Sequence, residues 1–209
     1  LKIFHELPAS VQSERKRVAA HYLCELTEQA LLQGDLDRAR LLLRQARTHD
    51  EHLPRAGILD ARVIEASGDA SGALTAYLLS LEEAPALALE IIPRVLALAS
   101  QLGDEGVVEE LTSRLRRTGR VSERQLAWLL ATALPTLGAP QSPERREASS
   151  SSAQTRALGA MLTRMSDSEG RYHCDDCGLH SVGWYWRCPK CRSWDSMRPA
   201  VFKWAERPL

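Results

Sequence analysis

Gly34-Asp-Leu-Asp-Arg-Ala39 is echoed by Gly68-Asp-Ala-Ser-Gly-Ala73 and, more loosely, by Gly103-Asp-Glu-Gly-Val-Val108. The three Gly-Asp pairs stand 34 and 35 residues apart. Around the first two, a small residue follows the glycine by five (Ala39, Ala73), a large one by nine (Leu43, Tyr77) and a small one by twelve (Ala46, Ser80). Pro85 follows the second glycine by seventeen. A fixed period of this length marks stacked supersecondary units, each too small to bury its own apolar face.

The offsets fit a helix, a tight turn and a second helix. Glycine closes the first helix in a left-handed conformation. The Asp after it caps the next helix by accepting a backbone N–H. Ala39 and Ala73 let paired helices approach, and Leu43 and Tyr77 fill the remaining space. This is the tetratricopeptide pattern. It predicts helices over 20–33, 36–48, 55–67, 70–83, 86–101, 105–117 and 121–133. The third unit is degenerate, because Val108 stands at the alanine position. A non-repeating helical bundle is the alternative. A repeat stack offers a concave binding surface, and His21, Glu28, Arg55, Arg62 and Glu65 are its groove candidates, against the alternative of solvated surface residues.

Composition divides the 209 residues into modules. Residues 1–137 are rich in helix-favouring Leu, Ala, Arg and Glu. Residues 138–153 hold Gly138-Ala-Pro-Gln-Ser-Pro143 and Ser149 to Ser152, the composition of a flexible linker. Residues 154–170 place Ala157, Leu158, Met161, Leu162 and Met165 on one face of a connecting amphipathic helix. Residues 171–209 hold four of the five cysteines, and Trp184, Trp186, Trp194 and Trp204. Lys+Arg and Asp+Glu are 27 each, so no global field attracts nucleic acid or membrane. Leu126 to Pro140, the longest uncharged apolar run, falls short of the roughly 20 residues a spanning helix needs. No signal peptide opens the chain, which begins at Leu1 and reads as a fragment.

The strongest chemical signal is Cys174-Asp-Asp-Cys177-Gly178 followed by Cys188-Pro-Lys-Cys191. Each Cys-x-x-Cys sets two thiolates on one turn, with Gly178 supplying a positive φ and Pro189 pre-setting the second turn. Two facing turns make a tetrahedral four-sulfur cage for one zinc or iron ion. Such a cage keeps no open coordination position, so no catalytic residue is assigned. Disulfides would need an oxidising compartment, and a redox dithiol normally uses a single Cys-x-x-Cys. His173 and His180 are spare donors beside a complete cysteine set. Tyr172, Trp184, Tyr185, Trp186 and Trp194 are expected to form a small aromatic core, with Trp184-x-Trp186 on a strand. Cys24 reads as a small buried hydrophobe; His5, His49 and His52 read as surface residues.

Ala20-His-Tyr-Leu-Cys-Glu-Leu26, Asp35-Leu-Asp-Arg-Ala39, Tyr172-His-Cys-Asp-Asp-Cys-Gly178, Tyr185-Trp-Arg-Cys-Pro-Lys-Cys-Arg-Ser-Trp194 and Arg198-Pro199 resemble the lipopolysaccharide assembly protein B family. The resemblance implies tetratricopeptide repeats joined to a rubredoxin-like domain whose metal ligands are Cys174, Cys177, Cys188 and Cys191. It implies an adaptor at the cytoplasmic face of the bacterial inner membrane, held there by an N-terminal helix that this chain lacks. The implied partners are a membrane-bound ATP-dependent zinc metalloprotease, the deacetylase that commits precursors to lipid A, and lipopolysaccharide assembly proteins. The region between Leu126 and Met165 departs from the family pattern.

Two other functions compete with a non-enzymatic adaptor. An iron-loaded cage can transfer electrons, as rubredoxins do. A zinc ribbon can bind nucleic acid through Arg171, Arg187, Lys190, Arg192 and Arg198, although the neutral chain argues against it. Residues 171–209 carry seven basic and four acidic residues.

Overall fold

The computed structural model describes residues 8–121 and 171–200. His5, the expected helix at 121–133 beyond Val121, the linker, the connecting helix and Trp204 lie outside the described residues. The chain divides into two compact units, Leu1–Glu83 and Ala84–Leu209. The protein is mostly helical, with a small three-stranded ribbon carrying the four clustered cysteines.

In the first unit, α1 (Ala9–Leu32), α2 (Leu36–His49), α3 (Pro54–Ala66) and α4 (Ala70–Glu83) form two helical pairs. α1 packs on α2, α3 on α4, and both α1 and α2 on α3. The Gly-Asp turns behave as the spacing predicts. Gly34 and Gly68 have φ of 74° and 89°. The Asp35 N–H returns to the Ala30 carbonyl at 2.9 Å, closing α1. Asp35 accepts the Arg38 N–H at 3.0 Å and Asp69 accepts the Gly72 N–H at 2.8 Å, each satisfying a donor that a helix start leaves open. Ala39, Ala46, Leu43, Ala73, Tyr77 and Ser80 are all buried. Cys24 is buried in one cluster with Ala39, Leu43 and Ala46, while His49 and His52 are exposed.

Three expectations change here. α1 begins at Ala9 rather than near residue 20, because Ser13-Glu-Arg-Lys-Arg17 favours helix and nothing before Gly34 stops it. His21 is fully buried rather than facing a groove. Arg55, only 4% exposed, is likewise inside. Its guanidinium donates to both Glu28 carboxylate oxygens, at 3.0 and 3.4 Å, and to the His21 carbonyl at 3.3 Å, which compensates a buried charge. Arg62 remains exposed, and Glu65 accepts the Tyr77 hydroxyl at 3.1 Å. Gly57 also matters, because a Cβ there would stand 3.0 Å from Ser80 Oγ. α3 and α4 approach closely at that point.

In the second unit, a 3-10 turn (Pro85–Leu87) leads into α5 (Ala88–Leu102), which packs on α6 (Val107–Arg117). Gly103 again closes a helix with φ 69°. Asp104, however, accepts from the Gly106 N–H at 2.9 Å, and α6 starts only at Val107. The inward face is therefore Val107, Leu111 and Leu115, and Val108 is half-buried. Leu111 and Leu115 nonetheless keep the offsets of eight and twelve from the glycine that Leu42 and Ala46 hold in the first unit, so the departure is confined to the start of α6. Pro85–Leu102 is long and apolar enough to cross a membrane, with mean hydropathy 1.3, but half of it is buried in protein. It carries Glu90 and Arg94 and serves as the core helix of this unit.

The ribbon belongs to the same unit. β1 (Tyr172–Cys174) lies between β2 (His180–Ser181) and β3 (Met197–Pro199), antiparallel to both. Tyr172 pairs with Ser181 on one side and Pro199 on the other. Trp184 and Trp186 lie outside these strands, contrary to the expected alternation along a strand. They pack edge-to-face instead, as a chain from Tyr172 to Trp184 (5.4 Å) to Trp186 (5.5 Å). Tyr185 points outward and is exposed.

Candidate metal centre

Both knuckles are built by the same backbone scheme. In the first, the Gly178 N–H donates to the Cys174 carbonyl at 2.9 Å and the Cys174 N–H to the Leu179 carbonyl at 2.8 Å. In the second, the Arg192 N–H donates to the Cys188 carbonyl and the Cys188 N–H to the Ser193 carbonyl, both at 2.9 Å. The left-handed corner is Gly178 in one, with φ 70°, and Arg192 in the other, with φ 64°. Gly178 announces that conformation in the sequence, whereas Arg192 carries no sign of it.

The two turns bring all four sulfurs within 4.8 Å of one another. Cys174 Sγ lies 3.6 Å from Cys191 Sγ, and Cys177 Sγ lies 3.7 Å from Cys188 Sγ, so both contacts run between knuckles. A tetrahedron with metal–sulfur bonds of about 2.3 Å has edges of about 3.8 Å. The residues therefore fit one four-coordinate ion. All five cysteines are free thiols. Neither His173 nor His180 joins the sulfur cluster. His173 is buried and paired through Nε2 with Asp175 at 3.1 Å, while His180 is exposed on β2.

The electrostatics also suit a cation. Burial opposes ionisation of Cys174, but the Ser196 hydroxyl, 3.2 Å from its sulfur, and the N–H groups of Cys177 and Asp176 outweigh it and lower the thiol below its ordinary value. The Ser193 hydroxyl, 3.4 Å away, and the Ser193 N–H lower Cys191 to about 6. The Leu179 N–H favours a Cys177 thiolate, yet burial and the three neighbouring sulfurs win and push it up to about 11. Four sulfurs this close resist ionising together unless a cation offsets their mutual repulsion. Ser193 and Ser196 escaped the sequence reading. Ser193 could have been noticed two places after Cys191, whereas Ser196 reaches Cys174 only through the fold.

Below the cage, Tyr172, Cys174, Cys188 and Met197 form a small buried cluster joined by Cys177, Leu179 and Trp184. Leu89 of α5 packs against it, and the 3-10 turn packs on β3. The buried Tyr172 hydroxyl donates to the Glu90 carboxylate at 2.5 Å. Burial first, and the Glu90 charge second, raise the Tyr172 pKa well above its ordinary value and keep it a donor. On the opposite side, Asp175 joins His173 to Arg198, whose Nε is 3.3 Å away. The Arg187 guanidinium stacks 5.5 Å from the centre of the Trp194 ring. The basic residues considered for nucleic acid are thus partly engaged inside the ribbon: Arg187 also donates to the Arg192 carbonyl at 3.0 Å.

Fold and site together define a mostly helical protein bearing a four-cysteine ribbon of rubredoxin type. Comparison with known proteins agrees. Residues 172–199 match the family described as rubredoxin metal binding domain. The chain is similar to lipopolysaccharide assembly protein B of Escherichia coli K12, at 27% identity over 210 aligned positions. The protein of the same name from Escherichia coli O157:H7 matches to the same extent. The alignment covers 89% of this chain and 54% of that relative, so the chain spans about half the length of the relatives it matches.

Proposed function

We propose that this chain acts as a non-catalytic regulatory adaptor of lipopolysaccharide biosynthesis, with Cys174, Cys177, Cys188 and Cys191 holding one structural zinc or iron ion. The observation that carries the reading is the closed four-sulfur cage, in a ribbon that matches a metal binding domain and ends a chain similar to lipopolysaccharide assembly protein B. A cage with four protein ligands leaves no position for substrate. The metal would supply folding free energy to a ribbon whose own apolar cluster is small.

The paired helices are read as tetratricopeptide repeats over 1–137, followed by the linker, the connecting helix and the ribbon over 171–209. Repeats of this kind hold protein partners. In this reading the adaptor works at the cytoplasmic face of the bacterial inner membrane. It brings the lipid A-committing deacetylase to a membrane-bound ATP-dependent metalloprotease and raises their effective concentration for each other. Other lipopolysaccharide assembly proteins are further partners. The test is in cells: Cys177→Ser and Cys188→Ser should each cause the deacetylase to accumulate, and deletion of 171–209 should remove its co-isolation with the protease. Unchanged deacetylase turnover in both variants would refute the adaptor reading. Elemental analysis of the purified chain should return one zinc or iron per polypeptide.

A further inference from the structure

We propose that Cys191 is an oxidation site, at which a hydroperoxide links Cys191 to Cys174 and opens the cage. The inference rests on the reading of the four cysteines as ligands of one ion. The four ligands are not equivalent. Cys174 and Cys188 are buried and Cys177 is half-buried, but Cys191 is exposed. It lies between two exposed cationic residues, Lys190 and Arg192. A small oxidant therefore reaches Cys191 most readily from solvent, while Cys174 and Cys188 are shielded. Directly across the cage from it, 3.6 Å away, stands the shielded Cys174 Sγ. Closing that gap to the S–S bond length of about 2.05 Å asks for a small movement.

The chemistry balances without further reactants. The Cys191 sulfur takes the terminal oxygen of the hydroperoxide as the O–O bond breaks. The departing alkoxide or hydroxide collects a proton from water, and Cys191 is left as a sulfenic acid, oxidised by two electrons. The Cys174 sulfur then attacks the Cys191 sulfur, the S–O bond breaks, hydroxide departs and the disulfide forms. Two thiolates are oxidised and one peroxide is reduced. Cys177 and Cys188 remain, and two ligands do not make a closed structural site. The ribbon then loses the metal's share of its folding energy, and with it the surface that receives Leu89 and the Glu90 carboxylate. The docking of the ribbon on α5 thus becomes sensitive to peroxide and recoverable by thiol reductants.

The experiment uses the full chain, loaded with zinc and assayed for zinc content beforehand. Hydrogen peroxide is added in steps, zinc release is followed with a chromogenic chelator, and disulfides are mapped by peptide mass spectrometry. Zinc should leave in proportion to a Cys174–Cys191 link, and a dithiol reductant with added zinc should reverse both. A first link within a knuckle, or between Cys177 and Cys188, would overturn the proposal; so would zinc retained while sulfenic acid accumulates. A chain that takes up no zinc before oxidant is added refutes the metal reading instead, which is a separate result. In a parallel measurement on unoxidised zinc-loaded protein, N-ethylmaleimide should label Cys191 at least about tenfold faster than Cys174 or Cys188. Equal rates would contradict the access argument.

Discussion

The helical unit 1–83 and the ribbon are held by different forces. Between α1 and α3, stability comes from a continuous apolar cluster that includes Ala20, Cys24, Ala39, Leu43, Ala56 and Leu59. The buried hydrophobic cluster of the ribbon is Tyr172, Cys174, Cys188 and Met197, and two of those four are cysteines of the sulfur cage. A hydrophobic interior tolerates losses in increments. A small module organised around one ion keeps or loses its structure as a whole. The difference follows from size, because a ribbon of about 30 residues is below the length that sustains a core unaided.

Removing the ion proposed for the four cysteines is the sharpest way to break the comparison. A strong chelator, or Cys188→Ser, should cost the ribbon on the order of 10 kcal/mol. The near-ultraviolet signal of Trp184, Trp186 and Trp194 should collapse while most far-ultraviolet helical signal persists. Equal loss of both signals would mean that the helices also depend on the ion.

Truncating the core of the helical unit should have a smaller and complementary effect. Leu59→Ala removes a side chain that is 1% exposed and should cost about 2–5 kcal/mol in denaturant unfolding. Zinc content should stay unchanged. Gly57→Leu should also destabilise, by roughly 1–3 kcal/mol, because it forces α3 away from Ser80.

The Tyr172–Glu90 bond offers a pH test. Tyr172 has its folded-state pKa raised above an ordinary value of 10, so folding favours the neutral phenol. Its contribution is complete below pH 10 and shrinks as the pH climbs past that value. Ribbon stability should fall above pH 10 in the native chain, and Tyr172→Phe should flatten that fall while costing about 1 kcal/mol at neutral pH. An identical alkaline limb in both proteins would count against this role.

The two knuckles supply the finest comparison. Gly178→Ala places a Cβ at φ 70°, where the surroundings are open but the backbone is strained, and should cost about 1 kcal/mol. Arg192→Gly relieves the equivalent strain at φ 64° and should stabilise the second knuckle by a similar or smaller amount. Both are measurable as shifts in the chelator concentration that strips the ion. Destabilisation by Arg192→Gly would show that the arginine side chain outweighs its backbone cost.

Much of this molecule was legible in the sequence because the relevant physics is local. A left-handed glycine, an aspartate cap and a small residue at a fixed offset act within a few positions, so the four helices of the first unit fell where the spacing placed them, apart from the early start of α1. Two Cys-x-x-Cys turns likewise announce a cage, because each pair is positioned by its own turn. What the sequence left undecided depends on distant partners. Arg55 looks like a surface cation until Glu28 and the His21 carbonyl close around it. Glu90 and Tyr172 are 82 positions apart, and no local pattern links them. The left-handed φ at Arg192 and the exposure of Cys191 appear only in the folded second knuckle. Short-range backbone preferences determined the elements; burial, charge compensation and access to solvent were decided only when tertiary packing brought remote side chains together.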